Sequence, residues 1–164
     1  MKKSSELIEL EKEDRFVFHG SGQKLEKLEP RQAHTVIDGV YGPDGEPAIF
    51  ASHLIDYAIF MALINQVTCP QGSRSRCGYE NDKLVFGASR HTLDQLNDAT
   101  KGYVHVFNRE DFTLRGVSEW MCLKRIEPIK IIEICRADFN QTIEEIPDHI
   151  KQPSLVLRRV RLSP

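Results

Sequence analysis

The sequence has no long apolar run, no paired-cysteine motif and almost no net charge. Of its 164 residues 40% are hydrophobic and 28% charged, with a formal net charge of -2, ordinary values for a globular chain. The longest apolar stretch, within Leu54–Ile64, is too short to cross a bilayer, so no membrane partner is expected. The charge balance gives no overall pull toward nucleic acid. Local basic patches are left to Arg74 with Arg76 and to Arg158, Arg159 and Arg161. The four cysteines, Cys69, Cys77, Cys122 and Cys135, form no C-x-x-C pair, and no histidine sits at metal-ligand spacing from them. Neither a metal nor a disulfide is expected. Cys122 and Cys135, inside apolar runs, read as small core residues of a reducing, cytoplasmic protein. Met1–Asp14 is charged and lacks the apolar stretch of a signal peptide. There is no G-x-G-x-x-G, no Gly-Lys-Ser/Thr loop and no G-x-S-x-G elbow, so dinucleotide-fold, P-loop and α/β-hydrolase chemistry have no support. No repeat or low-complexity tract is present.

The length suits one domain over residues 1–164, able to bury about 70% of its unfolded surface. A short helix is expected over Ser4–Lys12, with Leu7, Ile8 and Leu10 on its apolar side. Arg15–Phe18 reads as a buried strand ending at His19-Gly20-Ser21-Gly22. Leu25 and Leu28 suggest a helical turn stopped by Pro30. Arg31–Pro47, punctuated by glycine and proline, reads as a long loop. Ala48–Ala51 is a short strand. Ser52 looks like the N-cap of a helix through about Asn65, with Asp56 in its first turn and a broad apolar face. After a loop over Val67–Ser75, strands are expected over Lys83–Phe86, Gly102–Phe107, Ser118–Ile126 and Ile129–Cys135, with a last one over Leu155–Leu162. Asp138–His149 reads as loop. Helices early and strands late favour an α+β fold with antiparallel pairing.

Three short elements carry chemistry. In Ser118-Glu119-Trp120-Met121-Cys122, strand alternation sets Val117, Glu119, Met121 and Leu123 on one face. A carboxylate on a mostly apolar face is either at a solvated sheet rim or paired inside a site. His19-Gly20-Ser21 brings together an imidazole, a backbone that a ligand can approach and a hydroxyl. Its bland counterpart is a turn with a histidine bonded to a local carbonyl. Phe50 ends a strand and Tyr57 lies in the next helix. Two aromatics at such a junction sandwich a flat heterocycle or simply pack in the core.

Taken in order, His-Gly-Ser after a first strand, Ile-Phe-Ala-Ser leading into a helix, and Ser-Glu-Trp opening a late strand resemble the ADP-ribosyltransferase superfamily. The likeness is to its diphtheria-toxin and poly(ADP-ribose)-polymerase branch, with its His, Tyr, Glu triad, and spans Phe16–Cys135. The resemblance implies split antiparallel sheets with an N-terminal helical portion, NAD as the substrate, no metal, and a toxin-like or effector role. It implies that His19 holds the NAD ribose, that the Gly20 backbone grips the nicotinamide carboxamide with the Ser21 hydroxyl beside it, and that Glu119 is the catalytic carboxylate. Phe50 falls where the triad tyrosine belongs, a departure that keeps the stacking surface and loses the phenol. Tyr57 supplies a second stacking face, and Arg31 reaches toward the donor phosphates.

The reaction implied is cleavage of the nicotinamide–ribose bond, with Glu119 stabilising an oxocarbenium-like transition state. The product is an ADP-ribosylated acceptor, protein or nucleic acid, or free ADP-ribose if the chain is an NAD glycohydrolase. Val117, two residues before Glu119, is not the Gln or Glu of arginine-modifying relatives. Two alternatives share the fold. One is an inactive module binding a nucleotide or protein partner, favoured by Phe50. The other is an NAD-using RNA 2′-phosphotransferase, for which Arg74, Arg76, Arg90 and Arg109 fall in no matching pattern. The transferase reading requires His19, Phe50, Tyr57 and Glu119 to line one cleft. His19 and Glu119 on opposite faces of the sheet would defeat it.

Overall fold

The computed structural model describes residues 3–70 and 73–148. The strand expected over 155–162 and the patch of Arg158, Arg159 and Arg161 lie outside the described residues. The elements in chain order are α1 (Lys3–Lys12), β1 (Phe16–Ser21), β2 (His34–Ile37), β3 (Val40–Pro43), β4 (Ile49–Ser52), α2 (Ile55–Leu63), β5 (Ser75–Glu80), β6 (Lys83–Ala88), α3 (Arg90–Gln95), β7 (Lys101–Asn108), β8 (Thr113–Leu114), β9 (Glu119–Cys122), β10 (Lys130–Cys135) and β11 (Ile143–Glu145). The fold is α+β. A six-stranded sheet runs β10-β7-β1-β4-β9-β8, a three-stranded sheet runs β11-β6-β5, and β2 pairs with β3 as a separate hairpin. Pairing is antiparallel except between β11 and β6.

The period-2 pattern of the strands sorts the core onto the two faces of the large sheet. Phe18, Val104, Val106, Ile132 and Ile134 face α1 and α2, where Leu7, Ala58, Ala62 and Leu63 meet them together with Phe86 of β6 and Phe139. Val17, Ile49, Ala51, Phe107 and Cys122 form the opposite face, closed by Leu28 and Phe112.

Helix α2 lies unusually close to the sheet because two strand residues have no side chain. A Cβ on Gly20 would fall 1.9 Å from the Ala58 carbonyl oxygen, and one on Gly102 would fall 2.4 Å from that of Ala62. These are separations no side chain tolerates, so glycine on β1 and β7 and alanine on α2 form a matched set.

Several expectations need correction. β1 continues through Ser21, because its pairing with β7 extends from Phe16–Asn108 to Ser21–Tyr103. Leu25 and Leu28 form no helical turn. Leu28 bridges Ile126 through two backbone bonds of 2.8 and 3.0 Å, and the Leu25 N–H is taken by His105 Nε2 at 2.9 Å. These long-range partners win over local propensity. The expected loop 31–47 contains the β2–β3 hairpin, and 75–80 is a strand paired with β6. A late helix, α3, also interrupts the run of strands. Ser118–Ile126 is a strand only over Glu119–Cys122, and the Asp138–His149 stretch contains β11.

Ser52 does not cap α2. Its Oγ accepts from the Leu54 N–H at 3.1 Å, while the first helical N–H, that of Ile55, donates to Glu11 of α1 at 2.9 Å. A carboxylate from one helix therefore satisfies and neutralises the positive end of another. Among the described residues, no helix is long and apolar enough to cross a membrane.

Candidate functional site

β1 and β4 are neighbours in the large sheet but pair only at Phe18 and Ser52. Past that point the ladder is replaced by a side chain. His19 Nδ1 donates to the Phe50 carbonyl oxygen at 2.6 Å. A cleft of about 670 Å3 is lined by residues of both strands around this point. Its walls are β1, β4, the segment from Leu25 to Ala33, Tyr57, Phe60 and Met61 of α2, Ser75, Arg76 and Cys77 of β5, and Glu119 of β9. His19, Gly20, Ser21, Arg31, Phe50, Tyr57 and Glu119, singled out from the sequence, all line it.

The register bears on the requirement that His19 and Glu119 act together. Phe18 pairs with Ser52 and Ser52 with Glu119, so Glu119 leaves the sheet on the α2 face. His19 pairs with His105 on the opposite face. In a continuous sheet this would separate them. The two side chains thus start from opposite faces, yet with β1 and β4 paired only at Phe18 and Ser52 both line the same cleft.

Each side chain has a definite setting. Burial pulls the His19 imidazole below its ordinary pKa, against the bond to Phe50 that supports the charged form, and the Arg31 guanidinium lowers it further. A neutral ring donating from Nδ1 keeps Nε2 as an acceptor. The carbonyl it bonds is not the local one that a simple turn would use, for Phe50 lies 31 residues away. Ser21 does serve its own turn, its Oγ accepting from the Gln23 N–H at 3.1 Å, and this uses a lone pair rather than the hydroxyl proton. Gly20 is glycine because α2 demands it, so its bareness is directed first at the helix. Tyr57, on the first turn of α2, and Phe50 are half-buried rather than locked in the core.

Glu119 is only 8% exposed, so the solvated-rim alternative does not hold. Val117 and Leu123, expected on its face, lie beyond the ends of β9 and are exposed. Burial raises the Glu119 pKa, and the Arg115 guanidinium opposes that rise. Arg115 Nη1 stands 3.6 Å from Glu119 Oε1, and its Nη2 stands 3.2 Å from Oδ1 of buried Asp44. The guanidinium also lies over the Phe50 ring, 5.4 Å from its centre.

Sequence reasoning misses two residues, Arg115 and His105, and gives a third, Arg76, another place. Arg115 was legible in principle, being four residues before Glu119. His105 was not, since nothing local marks a mid-strand histidine. Its ring is fully buried, donates from Nδ1 to the His19 carbonyl at 3.2 Å and accepts the Leu25 N–H at Nε2. Burial, followed by the neighbouring His19, lowers its pKa to about 4. Arg76, expected in a local basic patch and weighed among the phosphotransferase arginines, lines the cleft and pairs with Glu80. Compared with known protein families, with curated proteins and with solved structures, the chain matches none, so the chemistry of the cleft rests on its own residues.

Proposed function

We propose that this chain is an ADP-ribosyltransferase or NAD glycohydrolase. The observation that carries the reading is the convergence of His19, Gly20, Phe50, Tyr57 and Glu119 on one cleft, although the sequence spreads them from the first strand to the ninth. A cleft of about 670 Å3 lies within the usual range for small-molecule sites. It also offers what NAD needs: Arg31 and Arg76 as cations for phosphates, Phe50 and Tyr57 as flat surfaces, and one buried carboxylate.

In this reading the neutral His19 accepts a ribose hydroxyl at Nε2. The aromatic pair orients the nicotinamide as leaving group. The bond between C1′ and the ring nitrogen breaks, its electron pair going to nicotinamide. Glu119, ionised and held off water, stabilises the positive charge that develops on the sugar. The sugar is captured by water or by an acceptor nucleophile, and one proton is released.

The test is Glu119→Gln, assayed for nicotinamide release and for NAD binding by thermal shift. Release should fall by roughly 100-fold or more, the scale of losing a main electrostatic stabiliser, with binding retained. Unchanged turnover would end the proposal.

A second reading, a binding module without turnover, is favoured by Phe50 standing where the related enzymes carry a tyrosine. NAD binding by the unaltered chain without nicotinamide release would select it. The RNA 2′-phosphotransferase reading is weaker. Arg90 is paired with Asp94 and Glu145, Arg109 with Asp14, and Arg74 bonds the Pro147 carbonyl, leaving only Arg76 of that group at the cleft.

A further inference from the structure

We propose that Arg115 is a positioning residue, which holds the Glu119 carboxylate ionised and aimed into the cleft by clamping it to Asp44 across the Phe50 ring. The inference rests on the transferase reading and deepens it.

The clamp is built from three stretches of chain. The turn before β9 is closed by the Arg115 and Gly116 N–H groups, which donate to the Glu119 carbonyl at 2.8 and 3.3 Å. Arg115 is thereby brought to the same end of the strand as the carboxylate. Asp44 is fixed independently, at the base of the β2–β3 hairpin, where its N–H donates to the Ala33 carbonyl at 2.8 Å. Gln32 Nε2 braces the same base, donating to the carbonyls of Ala33 and Gly45, each at 2.9 Å. Phe50 pairs with Met121 on β9, two positions along from the Ser52–Glu119 pair and on the same face. The guanidinium thus has an aromatic floor and a carboxylate at each of two nitrogens, a use of the planar fork that lysine cannot reproduce.

The two ion pairs differ in kind. At 3.2 Å the Asp44 contact is a hydrogen bond. At 3.6 Å the Glu119 contact is too long to be one. It supplies compensating charge while leaving the carboxylate's lone pairs available to something in the cleft. Arg115 does not itself line the cleft, so it acts through Glu119. The other titratable groups lining the cleft are His19, Lys27, Glu29, Arg31, Arg76, Tyr57 and Cys77.

Arg115→Gln and Arg115→Lys separate positioning from mere support. In the glutamine variant kcat for nicotinamide release should fall at least about tenfold while KM for NAD moves little, the pattern of a group that matters in the transition state. The acid limb of the pH profile should shift upward by about one unit, as a carboxylate losing its neighbouring cation does. The lysine variant should restore the acid limb and part of kcat. Wild-type kcat and limb in the glutamine variant, or a loss fully explained by a lower melting temperature, would overturn the proposal. A carbon-13 titration of the Glu119 carboxylate in wild type and in Arg115→Gln needs no activity. Its midpoint should rise in the variant, and an unmoved midpoint overturns the positioning role. Absence of nicotinamide release by wild type, together with a raised midpoint, would instead overturn the transferase reading and leave the clamp standing.

Discussion

The structures that back the cleft on its two sides are built on different principles. On the α2 side, Gly20 and Gly102 let Ala58 and Ala62 approach the sheet at backbone distance, among buried apolar side chains. On the β9 side, Asp44, Arg115 and Glu119 share a half-buried charge network laid over one aromatic ring. The first side is determined by volume and tolerates almost no added atom. The second is determined by charge and tolerates change of shape better than change of protonation.

The strongest challenge to that contrast is Gly102→Ala. With backbone 2.4 Å from the new methyl, the loss of stability should reach about 3 kcal/mol or more in urea unfolding. A loss below about 1 kcal/mol would mean that the helix is not seated as tightly as the volume argument requires. By comparison, Arg115→Gln should alter the chemistry far more than the melting temperature.

His105→Leu is next in size. It leaves the partly buried Leu25 N–H without its acceptor, a loss of about 1–3 kcal/mol near neutral pH. It should also flatten the pH dependence. The folded-state pKa of His105, about 4, lies below its unfolded value, so its contribution is complete above about pH 6.5 and is lost as pH falls toward 4. Glu119 has the opposite sign: its raised pKa makes stability decline as pH rises through and above the ordinary glutamate value. Thermal unfolding between pH 4 and 7 should therefore retain less acid sensitivity in His105→Leu than in wild type. An unchanged slope would assign the acid loss to other groups. The smallest expected effect is Glu11→Ala, about 1 kcal/mol from the uncapped end of α2, measured as a lowered denaturation midpoint. A null result there would make the α2 side purely a matter of packing.

How much of this could be read in the sequence follows from where the information lies. β7 and β10 were legible because their apolar alternation is local, and α2 because its apolar face is broad. The hairpin at 34–43 was not, since glycines and a proline at its turn and edges look like loop punctuation. The cap of α2 was misassigned to Ser52 because the true partner, Glu11, lies 44 residues away. The same division holds in the cleft. His19 and Glu119 stood out through their immediate neighbours, whereas His105 acts only through contacts 80 or more positions distant.

The lone Phe18–Ser52 pair has one more implication. A sheet that parts between two inner strands has a pair of strand edges that no neighbouring protein can reach, so the usual hazard of edge-to-edge association is hidden inside the fold. The His19 imidazole, bonded to the Phe50 carbonyl, occupies part of that gap and covers one of the backbone acceptors it would otherwise leave bare.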